Sequence, residues 1–126
     1  MSIKVELDEI RSVAAGQAPF AYLLTVSDDA RPHLVAITPA IGDVEISCEA
    51  GKTSCKNAAA RPNVSLLWPP ADPADYSLIV DGDAVVDGSV VRITPTRGVR
   101  HRPAPGGGND CAPVSILAAS DELPSP

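Results

Sequence analysis

The stretch Asp43-Val44-Glu45-Ile46-Ser47-Cys48-Glu49-Ala50-Gly51-Lys52-Thr53-Ser54-Cys55-Lys56-Asn57-Ala58-Ala59-Ala60-Arg61-Pro62-Asn63-Val64-Ser65-Leu66-Leu67-Trp68 changes period twice. From Asp43 to Cys48 apolar and polar residues alternate, the pattern of a half-buried strand. Val44, Ile46 and Cys48 are expected to face inward, with Glu45 and Ser47 outward. Gly51 breaks that strand. Residues 54–60 are alanine-rich and read as a short helix, stopped by Pro62, which cannot continue it. Residues 63–68 are strand-like again, closed by Pro69 and Pro70.

The same reading extends in both directions. Leu7, Ile10, Val13 and Ala14 stand at helical spacing, with Gly16 able to end the helix. Residues 21–26 are apolar and partly β-branched, as are residues 33–38. Ser27, Asp28, Asp29 and Ala30 between them carry turn chemistry, so the pair reads as a β-hairpin. Residues 71–75 read as a loop. Residues 76–80 and 84–86 are expected as two strands separated by Gly82, and residues 90–94 as the last clear strand. After Pro95 the pattern fades. Residues 103–126 form a tail rich in proline and glycine, in which residues 111–119 could be a strand or a short helix. Many short strands with close turn signals predict one antiparallel sheet, curled into a barrel or packed as a sandwich. Helices are too few for a parallel sheet, which needs one at each crossover.

Composition bounds the function. With 126 residues the chain is one ordinary domain, able to hide roughly two thirds of its unfolded surface. Ten lysines and arginines stand against 16 acids, a net charge of −6, which argues against nucleic acid as a partner. The three cysteines (Cys48, Cys55 and Cys111) lack a C-x-x-C motif or a histidine cluster, so neither a disulfide frame nor a metal site is expected. The amino-terminal residues do not form a signal peptide, and no apolar run is long enough for a membrane span. A cytoplasmic location is the expectation.

Residues 49–57 carry the chemistry. They join a strand to the amino end of a helix, where unpaired N–H groups and a partial positive charge favour phosphate. Gly51 permits a tight turn, and Thr53 or Ser54 can cap the helix or donate a hydroxyl to an anion. Lys52 and Lys56, four apart, are two of the chain's three lysines. The motif is not a Walker loop, because Gly51 stands alone before Lys52. An ordinary capped helix with solvated lysines is the alternative on spacing alone.

The order hairpin, strand, basic turn, helix and strand resembles the pyridoxamine 5′-phosphate oxidase-like family of FMN-binding split barrels. The resemblance is carried by Arg31-Pro32-His33-Leu34-Val35-Ala36-Ile37-Thr38, by Lys52-Thr53-Ser54-Cys55-Lys56-Asn57, and by Arg61-Pro62-Asn63-Val64-Ser65-Leu66. It implies a mainly β, six-stranded antiparallel Greek-key split barrel with a few short helices. It further implies a homodimer with FMN, or the deazaflavin F420, at the subunit interface. Lys52, Thr53, Ser54 and Lys56 would hold the cofactor phosphate, and the backbone of Val35, Ala36, Ile37 and Thr38 would run along the ring system. The implied activity is hydride transfer at flavin N5 to or from a small molecule. The residues that hold the substrate phosphate in true pyridoxamine phosphate oxidases are not recognisable, so that reaction is not expected, and no catalytic residue is assigned. A flavin-binding protein without a substrate, acting as electron carrier, and a cofactor-free barrel acting as an interaction module are the other functions the sequence allows.

Arg97, Arg100, His101 and Arg102 form a second basic cluster, placed after the last strand. It could reach a partner's cofactor or a substrate carboxylate, or pair with local acids. His33 is read as structural, Cys48 as core, and Cys55 as a buried thiol in the first helical turn. Trp68 could be core or edge a cleft. Gly106, Gly107 and Gly108 lack the strand-to-helix bracket of a phosphate cradle.

Overall fold

The computed structural model describes residues 1–104. Eight strands lie in a single antiparallel sheet: β1 (Ser2–Val5), β2 (Ala21–Val26), β3 (Pro32–Ile37), β4 (Ala40–Ile41), β5 (Ile46–Glu49), β6 (Asn63–Trp68), β7 (Ser77–Asp87) and β8 (Val90–His101). Helix α1 (Ile10–Ala15) follows a 3-10 turn at Leu7–Glu9, and helix α2 (Lys52–Ala60) joins β5 to β6. The strand order is β3-β2-β6-β7-β8-β5-β4, with β1 added along β8. The mainly β split-barrel expectation therefore holds, with two short strands, β1 and β4, beyond the expected six.

Period-2 patterning fills the interior. Ala21, Leu23 and Thr25 on β2, Leu66 and Trp68 on β6, Leu78 and Val80 on β7, and Val91 and Ile93 on β8 are all buried. Trp68 is thus core. Helix α2 lays Ser54, Asn57 and Ala58 against the sheet, positions three and four apart that share one helical face. Ile10 and Ala14 do the same for α1, which Gly16 ends as its cap.

Four expectations are corrected. Val44 is 78% exposed rather than inward, because residues 42–45 form the tip of the β4–β5 hairpin, with the Gly42 N–H donating to Glu45 O at 2.8 Å. Gly82 does not separate two strands: β7 runs through it, and the register shifts there instead. Asp81 lies opposite Arg97 and Gly82 opposite Pro95, leaving Thr96 as the extra residue of a bulge. A proline is tolerated at a bulge because its missing N–H is not needed there, so β8 continues past Pro95 to His101. Arg97, Arg100 and His101 of the basic cluster therefore sit on the last strand rather than after it, with Arg102 one residue past its end. Finally, residues 2–5, not read as a strand, pair with its end, Ser2 opposite His101 and Val5 opposite Gly98. The readings of Cys111, of Gly106–Gly108 and of residues 111–119 lie outside the described residues.

Candidate functional site

One cleft of about 380 Å³ is lined by His33, Val35, Ala36 and Ile37 of β3 and by Glu49, Ala50, Gly51, Lys52, Thr53 and Ser54 at the β5–α2 junction. Segments 16 residues apart in sequence meet because α2 packs back across β2, the strand that pairs with β3. Its seat on β2 is fixed by Asn57, whose Nδ2 donates to Thr25 Oγ1 at 3.1 Å.

The amino end of α2 is unusually open for a ligand. The cap residue Gly51 is extended (φ −75°, ψ 174°) and carries no side chain to close the helix end. The first helical hydrogen bond runs from Cys55 N to Gly51 O at 3.0 Å. The N–H groups of Lys52, Thr53 and Ser54 therefore precede it without an intrahelical partner. The first turn contains no acid. This donor set suits a phosphate: three backbone donors, the positive end of a helix of nine residues, a hydroxyl on Thr53 and an ammonium on Lys52.

Of the residues singled out for a cofactor, Val35, Ala36, Ile37, Lys52, Thr53 and Ser54 line the cleft together. Thr38 and Lys56 do not. Lys56 lies one turn further along α2, on its exposed side, and Thr38 follows the end of β3. Three lining residues, His33, Glu49 and Ala50, had been assigned no role in binding. His33 shares a face with Val35 and Ile37, which the period of two along β3 could have revealed. Glu49 enters from the end of β5, where Ser89 Oγ donates to its Oε1 at 2.7 Å; no local pattern announces that contact.

The other singled-out groups lie elsewhere. Cys48 is buried beneath the junction, and burial, with lesser pushes from Cys55 and Glu49, raises its thiol to about 11. Cys55 is half-buried, its Sγ 3.6 Å from Ala50 O. Arg97 pairs with Asp81 at 3.1 Å. Arg100 and Arg102 stack on Tyr76, and His101 Nδ1 lies 3.0 Å from Ser2 Oγ. None of the four lines the cleft. Two larger clefts, about 530 and 540 Å³, flank Leu7 and contain no helix start of this kind. Among the described residues no helix is long and apolar enough to cross a membrane.

Comparison with solved structures defines the class: the chain has the fold of the pyridoxamine 5′-phosphate oxidase-like split barrels. An FMN-binding protein from Syntrophomonas wolfei superposes with a TM-score of 0.60 at 13% identity, over 76% of this chain and 86% of its own. An F420 reductase does so with a TM-score of 0.58 at 15% identity, over 69% and 94%. HutZ, the heme storage protein from Vibrio cholerae, gives 0.53 at 14% identity, over 75% and 94%. Closer in sequence are uncharacterized protein Mb0449c of Mycobacterium bovis and uncharacterized protein MT0457 of Mycobacterium tuberculosis. Each is 39% identical over 134 aligned positions, spanning 92% of this chain and 88% of theirs. The chain belongs to one family with these mycobacterial proteins. No family model matches it.

Proposed function

We propose that this protein binds a flavin-type cofactor, FMN or F420, in the β3–α2 cleft and acts as an oxidoreductase. One observation carries the reading: the uncapped amino end of α2 and the His33–Val35–Ile37 face of β3 line one cleft. The phosphate would be held by the free N–H groups of Lys52, Thr53 and Ser54, with the Lys52 ammonium beside it. Val35, Ala36 and Ile37 would supply an apolar wall for the ring system. When bound, the flavin supplies hydride chemistry at N5, while the protein supplies position and water exclusion. The solved flavin-binding and F420-reducing proteins of the same fold support the class of cofactor.

The cofactor would lie between two copies of the chain. β3 ends the sheet order and presents Leu34, 60% exposed, beside Leu24 and Tyr22 on the neighbouring strand. An apolar patch next to an open strand edge is the kind of surface a second copy covers. A small-molecule substrate would then enter at the shared mouth.

His33 in the cleft favours a second reading, heme, which a protein of the same fold stores. An absorption spectrum of the purified protein after adding FMN, F420 or heme separates the two. A bound flavin band lost on Lys52→Ala supports the first; a Soret band lost on His33→Ala, with no retained flavin, overturns it.

A further inference from the structure

We propose that the stack of Arg100 and Arg102 on Tyr76 is a separate binding site for a small oxyanion, a carboxylate or a phosphate. Arg100 stands one residue before the end of β8 and Arg102 one residue past it, and both side chains reach the same face of the protein, over the Tyr76 ring. Their guanidinium carbons lie 5.2 and 4.5 Å from the centre of the Tyr76 ring. Two like charges thus share one aromatic ring, which attracts each of them but does not cancel their mutual repulsion.

Among the described residues no carboxylate forms an ion pair with either arginine. The ion pairs there involve Lys4, Arg11, Arg61, Arg92 and Arg97 instead. The acids of the adjacent loop bond to backbone, Asp72 Oδ1 accepting from the Ala74 N–H and Asp75 Oδ1 from the Tyr76 N–H, both at 2.9 Å, and neither forms an ion pair with Arg100 or Arg102. Arg102 Nη1 reaches Ala74 O at 3.3 Å, while the Nε groups of both arginines are shielded from water and have no partner. In a chain of net charge −6, the end of β8 gathers two arginines without an ion-pair partner among the described residues. The stacking on Tyr76 fixes the two planar forks in advance, so little side-chain entropy remains to be lost on gripping an anion.

The test uses the full-length protein in low salt, titrated separately with inorganic phosphate and with citrate. Binding is followed by the arginine Nε–H resonances in a nitrogen–proton correlation spectrum. The expected result is saturable movement of the Arg100 and Arg102 signals, weakened at least about tenfold in Arg102→Gln. Citrate binding tighter than phosphate marks a carboxylate ligand, and the reverse order a phosphate ligand. Lys52→Gln should leave these signals responding as before, which separates this site from the cleft and its failure from that of the flavin reading. Should Arg102→Gln not fold, Arg102→Lys keeps the charge but loses the fork, and affinity should still fall several-fold. Absence of saturation in the millimolar range, or unchanged affinity in the variant measured, overturns the proposal.

Discussion

Asn57 on α2 donates to Thr25 Oγ1 on β2 at 3.1 Å, and both side chains are sealed from water, 3% and 0% exposed. This polar pair inside an apolar interior sets where the helix sits on the sheet, and hence where its amino end meets β3.

Removing one partner leaves the other buried and unpaired. Asn57→Ala should therefore cost about 1–3 kcal/mol of stability in urea unfolding, more than an exposed alanine substitution such as Ala59→Ser on the same helix. Replacing both partners with apolar groups should recover part of the loss. If Asn57→Ala is neutral, the pair does not fix the helix.

Gly82 is required by close approach rather than by its backbone angles. A Cβ added there would lie 2.6 Å from Ile93 Cγ2 and 2.6 Å from the Thr94 carbonyl oxygen. The carbonyl belongs to the sheet and cannot move freely. Gly82→Ala should destabilise the protein by about 1–3 kcal/mol, whereas Gly51→Ala, which meets nothing within 4 Å, should not. Thermal unfolding of the two variants compares them directly.

The two lysines of the basic turn should differ. Lys52 lines the cleft and Lys56 does not. Lys52→Ala should weaken FMN or F420 binding about tenfold or more, the loss of one charge-assisted contact, and Lys56→Ala by less than about threefold. Calorimetric titration of both variants checks the order. Equal losses would place the phosphate further along the helix.

Cys48 makes stability depend on alkaline pH. Burial raises its thiol from 9.0 to about 11 in the folded protein. The unfolded chain releases the proton first, so the folded state is favoured fully below about pH 9 and loses that advantage as pH rises through 11. Denaturation midpoints measured across this range should fall, and Cys48→Ala should flatten the decline while lowering stability at neutral pH.

Self-association should depend on the β2–β3 face. Leu34→Glu places a charge in the exposed apolar patch beside Leu24. Sedimentation should then show a dimer in the parent protein and at least about tenfold weaker association in the variant, with folding unchanged. A parent protein that stays monomeric at high concentration removes the shared-cofactor arrangement.

The strands legible in the sequence were apolar runs bounded by turn signals: residues 21–26, before the Ser27–Ala30 turn, and 63–68, between Pro62 and Pro69, were read to the residue. Elements that depend on a partner were not. The continuity of β7 through Gly82 and of β8 past Pro95 is decided by their pairing at a bulge, since glycine and proline locally signal a break. Val44 continues the alternation in sequence yet lies at a hairpin tip, because β4 pairs only as far as Ile46.

The same division holds for the site. By itself the chain marked a basic turn at a helix start, although the helix begins at Lys52 with Gly51 as its cap rather than at residue 54 with Thr53 or Ser54 capping it; backbone N–H groups without partners are a local property of any such start. Only the tertiary structure decided what faces it. His33 and Glu49 join the cleft, and Thr38 and Lys56 do not, because sheet pairing and the Asn57–Thr25 contact fix the angle at which helix and strand converge. Short-range periodicity encodes which side of an element is buried. The distance between elements is set by side chains remote in sequence.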